Sequence, residues 1–381
     1  MCCKLTVGIA VYNVKDYLKN CVASVLTQTS KLAQSDVSIE ILIVDDGSTD
    51  GCGLLCQQIA ESDSRVRLIT FAQNRGICQV RNTIIRQAKG DWIYFVDGDD
   101  VLPPHFLDVA LKAANLSCDM VLFHFARFET EPEFLPANNL EAAELPKVLS
   151  ASLSRYCIGM HKDSAILNTP GLSGVELTSI WGKTYRRSFL LEHDIYFPND
   201  QRKSQDMVFN ILAYHFCRNV ALIPVQMYGY RVNPQSVCNR YNPEMANIIR
   251  TWFDNTLTLM NRFYPGDAEL ACQFYQSSVI LGLINCVRLN FFHPQNPKPF
   301  QTRKQEFLSL LSQDPFQSAI ENLDINSYYF ERQLVLKSIQ KRWALFLNFS
   351  FRHPFVFRLY GGARNRLNKL KHTVLPKRGS I

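Results

Sequence analysis

The residues Asp97-Gly98-Asp99-Asp100 directly follow the apolar run Trp92-Ile93-Tyr94-Phe95-Val96 and place three carboxylates where a buried strand would end. In an extended segment, residues i and i+2 point the same way, so Asp97 and Asp99 can converge on one point. Gly98 between them would let a ligand approach the backbone. Two carboxylates and a diphosphate form the all-oxygen shell that suits magnesium or manganese. The competing reading is a polar turn that caps the next helix, a role in which Asp is common.

A second acidic position lies far along the chain. Asp206 follows Gln205 and precedes Met207-Val208-Phe209-Asn210-Ile211-Leu212, whose spacing predicts a helix. A carboxylate in the first turn of a helix complements its dipole. On the residues alone, Asp206 reads as a first-turn residue of that helix.

The elements that must position these groups follow from hydrophobic patterning. Short β-branched runs predict strands at Leu5 to Tyr12, Ser38 to Val44, Val66 to Phe71, Trp92 to Val96 and Asp119 to Phe125. Amphipathic segments between them predict helices at Val14 to Leu26, Cys52 to Glu61, Gly76 to Ala88 and Pro104 to Ala114. The alternation is that of an α/β sandwich on a mostly parallel sheet, where ligands bind at the carboxyl ends of the strands. Polar loops stand there: Tyr12-Asn13, Asp45-Asp46-Gly47-Ser48-Thr49-Asp50 and Asn74-Arg75-Gly76. No GxGxxG follows the first strand, which argues against a dinucleotide enzyme. Gly182-Lys183-Thr184 ends like a phosphate loop, but Leu177 stands where that motif requires Gly.

Over roughly residues 4 to 237 the chain resembles the family 2 glycosyltransferases, an inverting group with a GT-A fold. The resemblance rests on Val11-Tyr12-Asn13, Ile43-Val44 with the Asp45 to Asp50 loop, Asn74-Arg75-Gly76, Arg81-Asn82, Gly90-Asp91-Trp92-Ile93 and Phe95 to Asp100. Further on it takes in Trp181 to Tyr185, Gln205-Asp206 and Tyr228-Gly229-Tyr230-Arg231. It implies that Asp99 ligates a metal ion, Mn2+ or Mg2+, with Asp97 completing the DxD element. It also implies that Asp45 and Asp46 meet the nucleotide, that Arg81 serves the diphosphate or the base, and that Asp206 is the catalytic base. The donor would be a nucleoside-diphosphate sugar, such as a UDP-sugar, and the acceptor a hydroxyl of a glycan or lipid-linked oligosaccharide in bacterial surface polysaccharide synthesis. Two departures from the pattern are Gln205, where the family usually has Glu, and Ala10, where many relatives have Pro. Trp181 and Tyr185 suit stacking on a sugar ring or a place in the core. Lys183 suits an acceptor phosphate or the covering of apolar surface by its stem, and Arg231 falls near the same site.

Composition sets the outer bounds. The 381 residues are 47% hydrophobic and 20% charged, an ordinary globular balance. All 34 acidic residues lie at or before Glu331, whereas 12 of the 41 Lys and Arg lie after it, so a mildly acidic body carries a basic tail. Twelve cysteines form no CxxC pair, which points to reduced thiols, a cytoplasmic protein and no zinc site. No cleaved signal and no membrane-spanning run is visible. The organisation reads as a nucleotide-sugar half (1–125), an acceptor half (126–240), a helical extension (241–331) and the tail (332–381). Helices are predicted at Pro243 to Tyr264, Ala268 to Asn290, Pro299 to Leu311 and Tyr328 to Phe346. The tail interleaves aromatic residues with Lys and Arg, which suits an anionic membrane surface at the cytoplasmic face better than nucleic acid. Two other functions fit parts of the pattern: a haloacid-dehalogenase-like phosphatase with Asp97 as nucleophile, and a nucleotide-binding module without catalysis.

Overall fold

The computed structural model describes residues 3–28, 38–137, 141–145, 153, 170–199, 201–233, 239–266, 268–325 and 330–353. Among these, the residues before Pro234, together with Asp254–Thr258, form one compact unit, and the remainder from residue 239 onward form a second.

The first unit is built on one sheet of eight strands: β1 (Cys3–Val11), β2 (Ser38–Asp45), β3 (Val66–Thr70), β4 (Trp92–Asp97), β5 (Met120–Phe128), β6 (Ala143–Leu145), β7 (Lys183–Arg186) and β8 (Val220–Arg231). Their order across the sheet is β3-β2-β1-β4-β7-β5-β8-β6. β1 pairs in parallel with β2 and β4, and β5 in parallel with β8, while β7 runs antiparallel between β4 and β5. Ile41 to Val44 are fully buried on both faces of their strand, as in a sheet with helices on both sides. The helices α1 (Lys15–Leu26), α2 (Cys52–Ser62), α3 (Ile77–Gln87) and α4 (Phe106–Ala113) connect the first five strands. From β1 the chain steps outward through β2 and β3 and then returns to β4 on the other side of β1. That reversal opens the crevice in which such sheets bind ligands. The register pairs Val11 with Asp45 and Ala10 with Asp97, so the acidic strand ends lie side by side at this crevice.

Two local features differ from expectation. The Lys183–Arg186 strand was not foreseen, because four residues are too few to show a period of two. Gly98 serves packing: its N–H donates to the Ala10 carbonyl at 2.9 Å, and a β-carbon there would lie 3.1 Å from that oxygen and 3.0 Å from Val14. The short α5 (Arg187–Glu192) and then α6 (Gln205–Phe216) lead into β8.

The second unit is helical among its described residues. It contains α7 (Met245–Phe263) apart from Asp254–Thr258, α8 (Ala268–Cys286) running into a π-helical turn at Val287–Phe291, α9 (Phe300–Leu311), α10 (Phe316–Glu321), α11 (Phe330–Gln340) and α12 (Ala344–Arg352). The single helix expected over Tyr328 to Phe346 is two helices. Arg342 takes a left-handed φ of 56°, which ends α11 and turns the chain into α12. No helix among the described residues is long and apolar enough to cross a membrane.

Candidate functional site

The site assembles at the carboxyl edge of β1, β2 and β4. Asp45 ends β2 and is buried, and its Oδ1 accepts the Ser48 hydroxyl at 2.5 Å and the Ser48 N–H at 3.2 Å. Through Oδ1 its carboxylate shapes the turn. Asp46 faces the neighbouring loop. Its two oxygens accept the N–H groups of Arg75 at 2.7 Å and Gly76 at 2.9 Å and the Asn74 amide at 2.9 Å. Burial raises its pKa against these hydrogen bonds. Tyr12, 45% exposed at the end of β1, presents a ring at the same edge. Tyr12 stands in the sequence as a motif residue, and only its exposure marks it as a candidate contact.

The acidic loop after β4 holds its three carboxylates in different ways. Asp100 is buried, accepts the Tyr228 hydroxyl at 2.5 Å and the Arg231 N–H at 2.7 Å, and has its pKa pushed well up by burial and by Asp99 and Asp97. Tyr228 also accepts the Asp97 N–H at 3.1 Å, so one phenol bridges the start and end of the loop. In the sequence Tyr228 is only a motif residue, since nothing in local spacing links it to Asp100. Asp99 is half-buried, and desolvation together with the charge of Asp97 raises its pKa to about 6. The Arg231 guanidinium sits between the rings of Tyr17 and Phe128, 4.8 and 4.5 Å from their centroids, and its Nε donates to the Asp99 carbonyl at 2.9 Å. Arg231 thus braces the acidic loop.

Arg81 on α3 joins the acidic loop to α6. Its Nη2 donates to Asp97 Oδ1 at 2.9 Å, and its Nη1 pairs with Asp206 Oδ1. The guanidinium is buried beside the Phe197 ring, and its Nε has no hydrogen-bond partner. Asp206 opens α6 after Ser204, which adopts a left-handed φ of 57°. Its Oδ2 accepts the Ile180 N–H at 3.3 Å. Desolvation raises its pKa, Arg81 opposes the rise and Asp97 adds to it. Asn82, next along α3, grips the segment before α6 by donating to the Phe197 carbonyl at 2.9 Å and accepting the Phe197 N–H at 2.8 Å.

The remaining expected acceptor contacts fall inside the protein. Lys183 is wholly buried, and its ammonium donates to the Glu176 and Ser179 carbonyls at 2.5 and 2.6 Å. Tyr185 is also wholly buried and bonds Asn210 Oδ1 at 2.8 Å. Both support the loop leading to Trp181. Trp181 is 7% exposed and stacks on Tyr228 at 4.9 Å and on Tyr230 at 5.4 Å between centroids, so it belongs to the aromatic wall behind the acidic loop.

Four carboxyl groups (Asp97, Asp99, Asp100 and Asp206) gather with two guanidiniums (Arg81 and Arg231) at this edge, and burial together with the neighbouring carboxylates raises the pKa of Asp99, Asp100 and Asp206. The described residues include no group of three or more His, Cys, Asp or Glu arranged to hold a metal ion alone. An ion that takes one or two protein carboxylates and fills its shell from a diphosphate and water is compatible with that, and Asp99 and Asp97 suit it.

Residues 6–165 match the family model described as Glycosyl transferase family 2. That stretch of the chain is similar to the family 2 glycosyltransferases. EpsH of Bacillus subtilis (strain 168) is 28% identical over 239 residues, 62% of this chain and 63% of EpsH, so the match spans less than two thirds of that relative. WfaP of Escherichia coli, named a UDP-Glc:alpha-D-GlcNAc-diphosphoundecaprenol beta-1,3-glucosyltransferase, is 28% identical over 185 residues, 48% of this chain and 67% of WfaP. Among solved structures, S. aureus TarS 1-349 in complex with UDP-GlcNAc superposes with a TM-score of 0.56 at 17% identity, covering 92% of each chain. That likeness shows a shared fold: an α/β domain of GT-A type followed by a helical region.

Proposed function

We propose that the protein is an inverting glycosyltransferase that moves a sugar from a nucleoside-diphosphate donor, a UDP-sugar, to a hydroxyl of a glycan or lipid-linked oligosaccharide in bacterial surface polysaccharide synthesis. The observation that carries this reading is the Arg81 bridge, which brings Asp206 and Asp97 to one guanidinium although they lie on different elements. In this reading Asp206 takes the proton of the acceptor hydroxyl as that oxygen attacks the anomeric carbon, and desolvation makes it a stronger base than a carboxylate in water. Asp46, held by the Asn74 to Gly76 loop, and the exposed Tyr12 receive the nucleotide base. Mn2+ or Mg2+ held by Asp99 with Asp97 would neutralise the diphosphate. Arg81 supplies a fixed positive charge between the base and that diphosphate, and inversion converts an α-linked donor into a β-linked product.

The donor and the lipid-diphosphate acceptor named for WfaP, and UDP-GlcNAc in TarS, support the choice of donor and acceptor class. A lipid-linked acceptor places the enzyme at the cytoplasmic face of a membrane, and the basic tail would hold it there, although residues 354–381 lie outside those described. The phosphatase reading loses ground because Asp97 ends the fourth strand of the sheet and is paired with Arg81. The non-catalytic module is less favoured because a carboxylate of raised pKa stands at the position of the base.

A thermal-shift titration with UDP, GDP, dTDP and CMP, each with and without manganese, tests the donor class, since a ligand of the native state raises the midpoint. A shift confined to UDP with manganese is expected. No shift with any nucleotide would overturn the reading.

A further inference from the structure

Among the described residues, α12 is amphipathic in an unusual sense. Its inward stripe is Ala344, Leu347 and Ser350, all buried, whereas Leu345, Phe349 and Arg352, spaced i, i+4 and i+7, form the outward stripe. Leu345 is 70% exposed and Phe349 49%, and Trp343 at the N-cap is 48% exposed. Scattered exposed apolar residues need no explanation, but large ones gathered on one short helix mark a docking surface. Exposed Lys337, Lys341 and Arg342 precede the helix, and exposed Arg352 and His353 end it. No acidic residue follows Glu331 anywhere in the sequence.

We propose that the Leu345 and Phe349 stripe of α12 inserts shallowly into an anionic lipid surface, with Trp343 at the N-cap and Lys341, Arg342 and Arg352 meeting the headgroups. Apolar side chains bordered by cations match the layered chemistry of a bilayer interface, where Trp occupies the boundary and Arg reaches outward. A second copy of this chain fits less well, because the face would meet its own positive charge. The inference deepens the proposed transfer to a lipid-linked acceptor: it assigns attachment to a folded helix face and adds an apolar, salt-resistant component to charge attraction. Its test needs neither donor nor acceptor, so attachment and transfer can fail independently.

The experiment is co-sedimentation of the full-length protein with phosphatidylcholine vesicles, with and without about one third phosphatidylglycerol, at low and high salt. Wild-type protein is expected to bind the anionic vesicles and to keep part of that binding at high salt. Leu345→Ser with Phe349→Ser should weaken binding at least about tenfold at both salt levels. Arg342→Gln with Arg352→Gln should remove mainly the part that salt abolishes. Both variants change exposed side chains, so the thermal midpoint and its shift with UDP should match wild type. Wild-type affinity in the Leu345/Phe349 variant overturns the proposal. So does a wild-type dimer that this variant dissolves while vesicle binding is unchanged, since the face would then join two copies.

Discussion

At the scale of single residues, the site turns on how Arg81 divides itself between two carboxylates. Asp206 is desolvated, which favours its neutral form, while the guanidinium favours the charged form. The carboxyl therefore titrates above the ordinary range, and transfer should fall on the acid side as Asp206 takes up a proton. Arg81→Gln removes the opposing charge, so the acid limb of the pH–rate profile should move to higher pH. A limb that stays in place would mean that Asp206 is not the titrating base. Asp206→Asn should leave UDP binding near wild type and lower transfer by at least about a hundredfold, the usual contribution of a general base. Near-normal transfer in that variant would remove Asp206 from the mechanism. The acidic residues were visible in the sequence because strand ends and helix starts leave local signatures. Their joining through Arg81 was not, since the bridge depends on how three elements pack.

At the scale of elements, the parallel half of the sheet was legible because each strand there is a continuous apolar run ended by a polar loop. β7 was not, because it is short and its pairing with β4 and β5 comes from distant parts of the chain. That insertion takes both Lys183 and Tyr185 inside, which their sequence motif alone does not reveal. Lys183 then works on the loop itself, tying carbonyls of residues 176 to 181 ahead of the strand. Lys183→Met keeps the stem and leaves those buried carbonyls without their donor, which costs about 1–3 kcal/mol per unsatisfied group. Chemical denaturation should show a loss of that order. If stability is unchanged while transfer disappears, Lys183 has the acceptor role that its burial argues against.

At the scale of the whole molecule, the fold bears the electrostatic cost of its own site. Asp99, Asp100 and Asp206 are all held above the ordinary carboxylate range, chiefly by burial. Between that range and their raised values, the folded chain binds more protons than the unfolded one, so stability falls as pH rises through the window. The stabilisation that comes from a neutral Asp99 is complete below the unfolded value, near pH 4, and is lost as pH passes the folded value of about 6. Ligand-free Asp99→Asn should therefore be more stable than wild type at pH 7.5. After allowance for the partial exposure of Asp99, the gain should be about 1 kcal/mol or more, roughly half of the difference should remain at about pH 5, and most of it should close by about pH 4. Manganese with UDP should raise the midpoint of wild type and leave that of the variant nearly unchanged. Equal midpoints for the two ligand-free proteins at pH 7.5 would show that Asp99 is solvated well enough to ionise freely, and the acidic loop would then carry no stored repulsion for a cation to relieve.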